Sequence, residues 1–155
     1  MGLDMYLYRR SYVHSGDYYI PDHKEELKMT RGGKEVDTSK VRYIIEEVGY
    51  WRKANHIHRW FVENVQSGKD DCGEYYVKED QLANLLETCK EVLKDKDRAS
   101  KLLPTTSGFF FGTTDYDPQY FDDVQNTVNI IESLFEPDLD GGSYLKGDIY
   151  YHSSW

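Results

Sequence analysis

The chain has 155 residues, a net charge of −9, and 39% apolar and 15% aromatic residues. It is long enough for one domain with its own core, too aromatic to be disordered, and too acidic for general binding to a phosphate backbone. Two cysteines, Cys72 and Cys89, without a CxxC pair exclude a disulfide scaffold or a four-thiolate zinc site.

Leu3, Met5 and Leu7 alternate with Asp4, Tyr6 and Tyr8, the period of a strand. Residues 9 to 39 have no period; SGD at 15–17, Pro21 and a glycine pair at 32–33 predict a long loop with an edge hairpin, or a flap inserted over about 9–40. Val41, Tyr43, Ile45 and Val48 begin a second strand. Ala54, Ile57, Phe61 and Val65, with Trp51 one turn earlier and Trp60 beside them, predict a helix over 51–65, stopped by Gln66-Ser67-Gly68.

A further helix is expected over 79–95, with Leu82, Leu85 or Leu86, Cys89 and Leu93 as its stripe, Glu79 and Asp80 at its positive end and Lys90 and Lys94 at its negative end. The three phenylalanines between Gly108 and Gly112 read as a buried strand or hairpin arm. Asp117-Pro118 starts a helix, a carboxylate cap before a proline at the first position. Phe121, Val124, Val128, Ile131 and Phe135 form its stripe, and Pro137 ends it. Asp140-Gly141-Gly142 is a turn, and Tyr144 to Tyr151 is extended. The expected fold is α+β: a single domain over 1–155 with a small mixed or antiparallel sheet packed by about three helices.

The stretch WRKANHIHRWF, 51–61, is the densest in chemistry. As a helix it would bring Arg52, His56, Arg59 and Trp60 near one face, a set suited to a small anionic ligand, with Asp71, Tyr116 and Asp117 completing the pocket. The same pattern equally describes a wet face beside core tryptophans. His56 and His58 are two apart, a poor spacing for helical metal ligands, and no HExxH is present, so neither metal nor other cofactor is expected. Asp70, Asp71, Cys72 and Glu74 form an acidic knot that disfavours a thiolate on Cys72, and Cys89 lies on an apolar stripe. Thr105, Thr106, Ser107, Thr113 and Thr114 surround the phenylalanine run, but this is neither a GxxxxGK[ST] nor a GxGxxG loop. No catalytic residue is assigned.

Taken together, MGLDMYLY, YWRKANHIHRWF, DDCGEYYV and LLPTTSGFFFGTTDYDPQYF resemble a family of small proteins of bacteriophages and prophage regions, over 1–8 and roughly 50–135. The resemblance implies expression in the cytoplasm of an infected bacterium and an accessory or host-interaction role, and it assigns no role to any residue. The absence of a basic-then-apolar leader and of a membrane-length segment agrees with a cytoplasmic, non-membrane expectation; Tyr6 stands where a myristoylation signal needs Ser or Thr. Two functions follow. One is an acidic binding protein engaging a bacterial protein or competing for its nucleic-acid-binding surface. The other is a small enzyme or a nucleotide or phosphometabolite binder using the Arg/His/aromatic pocket. Oligomeric state is not legible.

Overall fold

The structure, a computed structural model, describes residues 2–14, 26–137, 139 and 141–155. In chain order it has β1 (Asp4–Tyr12), β2 (Thr30–Arg31), β3 (Lys34–Glu35), β4 (Tyr43–Arg52), α1 (Asn55–Asn64), β5 (Glu74–Val77), α2 (Glu79–Lys94), a 3-10 turn (Lys96–Arg98), the single turn α3 (Ala99–Leu102), α4 (Pro118–Leu134), β6 (Phe135–Pro137), β7 (Ser143–Leu145) and β8 (Asp148–Ser154). The expected turn at 15–17, Pro21, His23 and Asp140 lie outside the described residues.

The main sheet has the order β4-β1-β8-β5, with every pair antiparallel. This is the mixed α+β fold with an antiparallel sheet expected from the sequence. The N-terminal alternation sets it up: Met5 and Leu7 are fully buried, and their neighbours across the ladder, Trp51 and Tyr151, are buried with them. Among the described residues, the long helices pack on this inner side. Phe61 of α1 stacks on Tyr151 of β8 with ring centroids 3.9 Å apart, and Trp51 Nε1–H of β4 donates to Thr127 Oγ1 of α4 at 2.8 Å. Leu82, Leu85, Cys89 and Val92 turn α2 into the same core. Burial raises the Cys89 thiol to about 12, so this cysteine is packing and not a reactive thiol.

α4 begins as the Asp-Pro pair requires, with Asp117 Oδ1 accepting from Tyr120 N at 2.9 Å and Pro118 at the first position. At the end of α1, Gly68 takes φ 78° and its N–H reaches back to Val62 O at 2.8 Å, which is the glycine stop.

Three expectations need correction. β1 runs on to Tyr12, so the irregular stretch is shorter than 9–40; its hairpin is β2–β3, closed by Gly32 and Gly33, both at positive φ as a two-residue hairpin turn needs. Residues 104–117 form no strand: Phe109 is 80% exposed, Phe110 is exposed at φ 65°, and only Phe111 is buried. Hydrophobic content suggested a strand there, but anchors from Asn55 decide otherwise. Asn55 Nδ2 donates to Phe111 O and Thr113 O at 3.1 and 2.8 Å, and its Oδ1 accepts from Thr106 N at 3.0 Å. The helix predicted for 51–65 starts four residues late, with consequences for the site. Among the described residues, no helix is long and apolar enough to cross a membrane.

Candidate functional site

The segment from Trp51 to Phe61 is a strand end, a corner and a helix. Trp51 and Arg52 are the last rungs of β4, paired with Met5 and Asp4; Lys53 turns the chain at φ 59°; α1 starts at Asn55. The strand prevails because Trp51 fills the inner face and satisfies its indole N–H on α4, which a helical position would forfeit. Arg52 is therefore not one turn before His56. Strand alternation puts it on the opposite side of the sheet, with its Nε 4.0 Å from Asp4 Oδ1.

His56 is buried, with its ring centroid 4.1 Å from that of Tyr120 and its Nε2 without a hydrogen-bond partner. Burial pulls its pKa down to about 3, against a hydrogen bond to the Tyr120 backbone and the charge of Asp117. At neutral pH it is an uncharged imidazole and cannot serve as the cationic partner of a phosphate. Arg59 is also engaged: Nε donates to Glu63 Oε1 at 2.7 Å and Nη1 to Thr105 O at 3.3 Å. Trp60 is core, edge-on to Phe61. Asp71 is exposed, held below the usual carboxylate range by hydrogen bonds from Lys69 and then Tyr75. The Tyr116 ring lies 5.0 Å from that of Tyr120, and its hydroxyl accepts from Thr105 N at 3.3 Å. Asp117 caps α4.

The seven residues therefore do not converge. His56 and Asp117 line a small recess with Tyr120 and Asp123. Arg59 borders a separate cleft of about 560 Å³ with His58, Asp70, Thr106, Ser107 and Phe111. Arg52 faces the far side of the sheet.

Sequence reasoning missed a hydrogen-bonded chain centred on His58. Its Nε2 lies 3.1 Å from Asp70 Oδ2, its Nδ1 lies 2.7 Å from the buried Tyr151 hydroxyl, and Trp155 Nε1–H donates to Asp70 Oδ1 at 3.0 Å. An ionised carboxylate only accepts, so in the neutral ring Nε2 carries the proton and Tyr151 O–H donates to Nδ1. Burial lowers the His58 pKa, and the hydrogen bond to Asp70 opposes it. With both nitrogens engaged, His58 ties α1 to β8 and has no free atom for a substrate. No local signal could reveal this, because Tyr151 is 93 residues away. Among the described residues, no group of three or more His, Cys, Asp or Glu side chains is placed to hold a metal ion.

The larger feature is the outer face of the sheet. Register places Tyr6, Tyr8, Tyr12, Tyr43, Tyr50, Tyr76 and Tyr150 on it, half of the fourteen tyrosines, with His152 among them. Tyr6 stacks on Tyr8 at 5.8 Å with planes 9° apart and lies 5.4 Å from Tyr50, and Tyr76 meets Tyr150 edge-on at 5.8 Å. Arg10 sits 4.4 Å over the Tyr150 ring and 3.1 Å from Glu74. Asp4, Glu47, Glu74 and Asp148 share the face with Arg10 and Arg52, four carboxylates against two guanidiniums. The Tyr8 hydroxyl is pushed above its usual pKa by burial and then by Glu47, Tyr6 and Glu74; that of Tyr50 is raised first by its hydrogen bond to Asp4. Nearby carboxylates contribute to both shifts.

No protein-family model, curated protein or solved structure matches the chain.

Proposed function

We propose that the protein is a non-catalytic binding protein whose tyrosine-rich sheet face takes a basic protein partner. The observation that carries this reading is the outer face: an aromatic surface with a surplus of carboxylates, over which none of the described helices packs. Tyrosine anchors interfaces by burying a ring and keeping its hydroxyl bonded. Lysine and arginine of a partner bind ring faces and carboxylates together, as Arg10 already does with Tyr150 and Glu74. Single-stranded nucleic acid also stacks on aromatic platforms, but it needs a positive groove for its phosphates, and the charge on this face has the wrong sign. The same charge suits competition with nucleic acid for a basic surface. The phage-type motifs point to a bacterial protein as that partner and to the bacterial cytoplasm as the setting.

The test uses defined probes first. An arginine-rich peptide should bind the protein with an affinity that falls as salt rises, and a Tyr6→Ser/Tyr50→Ser/Tyr76→Ser variant should lose that binding while keeping its circular-dichroism spectrum. Equal binding by the two proteins overturns the reading. Retention of one basic protein from bacterial extract by the native face and not by the variant then identifies the partner.

A second reading, a small anionic ligand held by Arg59, has one favourable observation: the cleft beside it has the volume of a ligand site. Glu63 and the Thr105 carbonyl already occupy the guanidinium, and Asp70 shares the cleft, so an anion gains less there than the sequence suggests.

A further inference from the structure

We propose that the recess between the starts of α1 and α4 binds a primary ammonium group. The recess holds about 30 Å³, room for one small polar group and not for a ring or a sugar.

The hydrogen bonds around it take up the neutral side-chain donors of its walls. Asn55 Nδ2 donates to Phe111 O and Thr113 O, Thr105 Oγ1 donates to Thr114 O, and Thr113 Oγ1 donates to Asp115 Oδ2. Tyr120 O–H donates to Leu103 O at 2.7 Å, and Gln119 Nε2 donates to Asp123 Oδ1 at 3.1 Å. What remains is acceptor capacity. Asp117 uses Oδ1 on the Tyr120 amide, and Asp123 uses Oδ1 on Gln119, which leaves the second oxygen of each. His56 Nε2 is the decisive atom: it is buried, with 3% of the residue exposed, and it has no partner. In the neutral tautomer that carries its proton on Nδ1, Nε2 offers a lone pair.

That donor set selects its ligand. An imidazole lone pair beside carboxylates accepts N–H donors well, whereas alkali and alkaline-earth ions prefer an all-oxygen shell. A transition metal needs ligands at bonding distance, and no such group of side chains exists among the described residues. A water molecule supplies a hydrogen to Nε2 but leaves the carboxylate charge uncompensated. An ammonium head does both. Lys53 also lines the recess, but it forms no ion pair with Asp117 or Asp123, and its stem passes Gly112 toward Gly2, where a Cβ would meet its Cε at 3.3 Å.

The test compares ethylammonium chloride with sodium chloride and tetramethylammonium chloride at equal ionic strength in phosphate buffer. It follows the amide resonances of Asn55 and Tyr120. Ethylammonium should give a saturable shift that the other two cations lack, and Asp123→Asn should weaken it roughly tenfold to a hundredfold, the effect of losing a charge-assisted hydrogen bond. That variant removes a half-buried charge and keeps an acceptor for Gln119, so it remains folded. Nα-acetyl-lysine amide forms a further arm: tighter binding than ethylammonium assigns the site to a protein's lysine, and weaker binding assigns it to a free amine. No saturable response, an equal response to sodium, or an unchanged response in Asp123→Asn overturns the proposal and leaves water as the occupant.

Discussion

On the inner side of the sheet Met5, Leu7, Trp51, Ile149 and Tyr151 lie buried beneath helices, while on the outer side Tyr6, Tyr8, Tyr50, Tyr76 and Tyr150 keep part of each ring in water. Both sides are aromatic, and both come from the same alternating strands. They differ in what happens to polar groups. Inside, the Trp51 indole, the Tyr151 hydroxyl and His58 each have a specific partner on a distant element. Outside, hydroxyls, carboxylates and guanidiniums pair with one another at exposed positions, as Tyr50 does with Asp4 and Arg10 with Glu74. Inner aromatics are thus fixed by the fold, and outer ones remain available to something else.

The sharpest way to break this contrast is to truncate one ring on each side. Phe61→Ala removes the ring stacked on Tyr151 and should cost about 3–5 kcal/mol in urea unfolding. A similar loss from Tyr76→Ala would mean that the outer face is structural rather than a binding surface.

Acid tests the inner side next. The folded-state pKa of His56 is depressed from 6.5 to about 3, so the folded protein takes up this proton less readily than the unfolded chain. The associated stability is complete above 6.5 and declines as pH falls toward 3. Between pH 6.5 and 4.5 the loss should be about 2 kcal/mol, and His56→Leu should abolish that part of the slope in denaturant titrations.

Asp123 has the opposite sign. Burial raises its carboxyl from 3.8 to about 6, so its contribution is present below 3.8 and is lost as pH rises through 6. At pH 7 in a buffer free of primary amines, Asp123→Asn should stabilise the fold by about 1 kcal/mol after allowance for solvent screening, and the gain should vanish below pH 4. An unchanged thermal midpoint at pH 7 would show that the carboxylate is solvated and that the recess is open to water.

The smallest effect on stability belongs to the outer face. Tyr50→Ser and Tyr76→Ser should each shift unfolding by roughly 0.5 kcal/mol or less. Calorimetry with the arginine-rich peptide should show weaker binding for both, separating binding from folding on the same residues.

Much of this architecture is legible along the chain. Period-two alternation places β1, the Asp117-Pro118 pair marks the start of α4, and the apolar stripe of α2 packs on the core as expected, with Val92 buried beside a partly buried Leu93. These are local signals, decided within a few residues by side-chain direction and capping. The site is less legible for a physical reason. Trp51, Ala54, Ile57 and Phe61 satisfy a helical spacing and are all buried, yet the first belongs to a strand, because pairing of Trp51 with Met5 outweighs a local period. The strand puts Arg52 on the other side of the sheet and leaves His56 inside. The phenylalanine run misleads in the same way: its hydrophobicity suggests burial, but bonds from Asn55, more than fifty positions earlier, hold it as a loop.

The class of fold, the acidic charge and the supply of tyrosines are properties of the sequence alone, since each follows from composition or from neighbours along the chain. Folding in three dimensions was needed to gather seven of those tyrosines on one face of the sheet, to enclose His58 between Tyr151 and Asp70, and to leave His56 Nε2 without a donor. Ladder register and long-range hydrogen bonds join residues far apart in the chain, and no local pattern encodes which distant partner a side chain will meet.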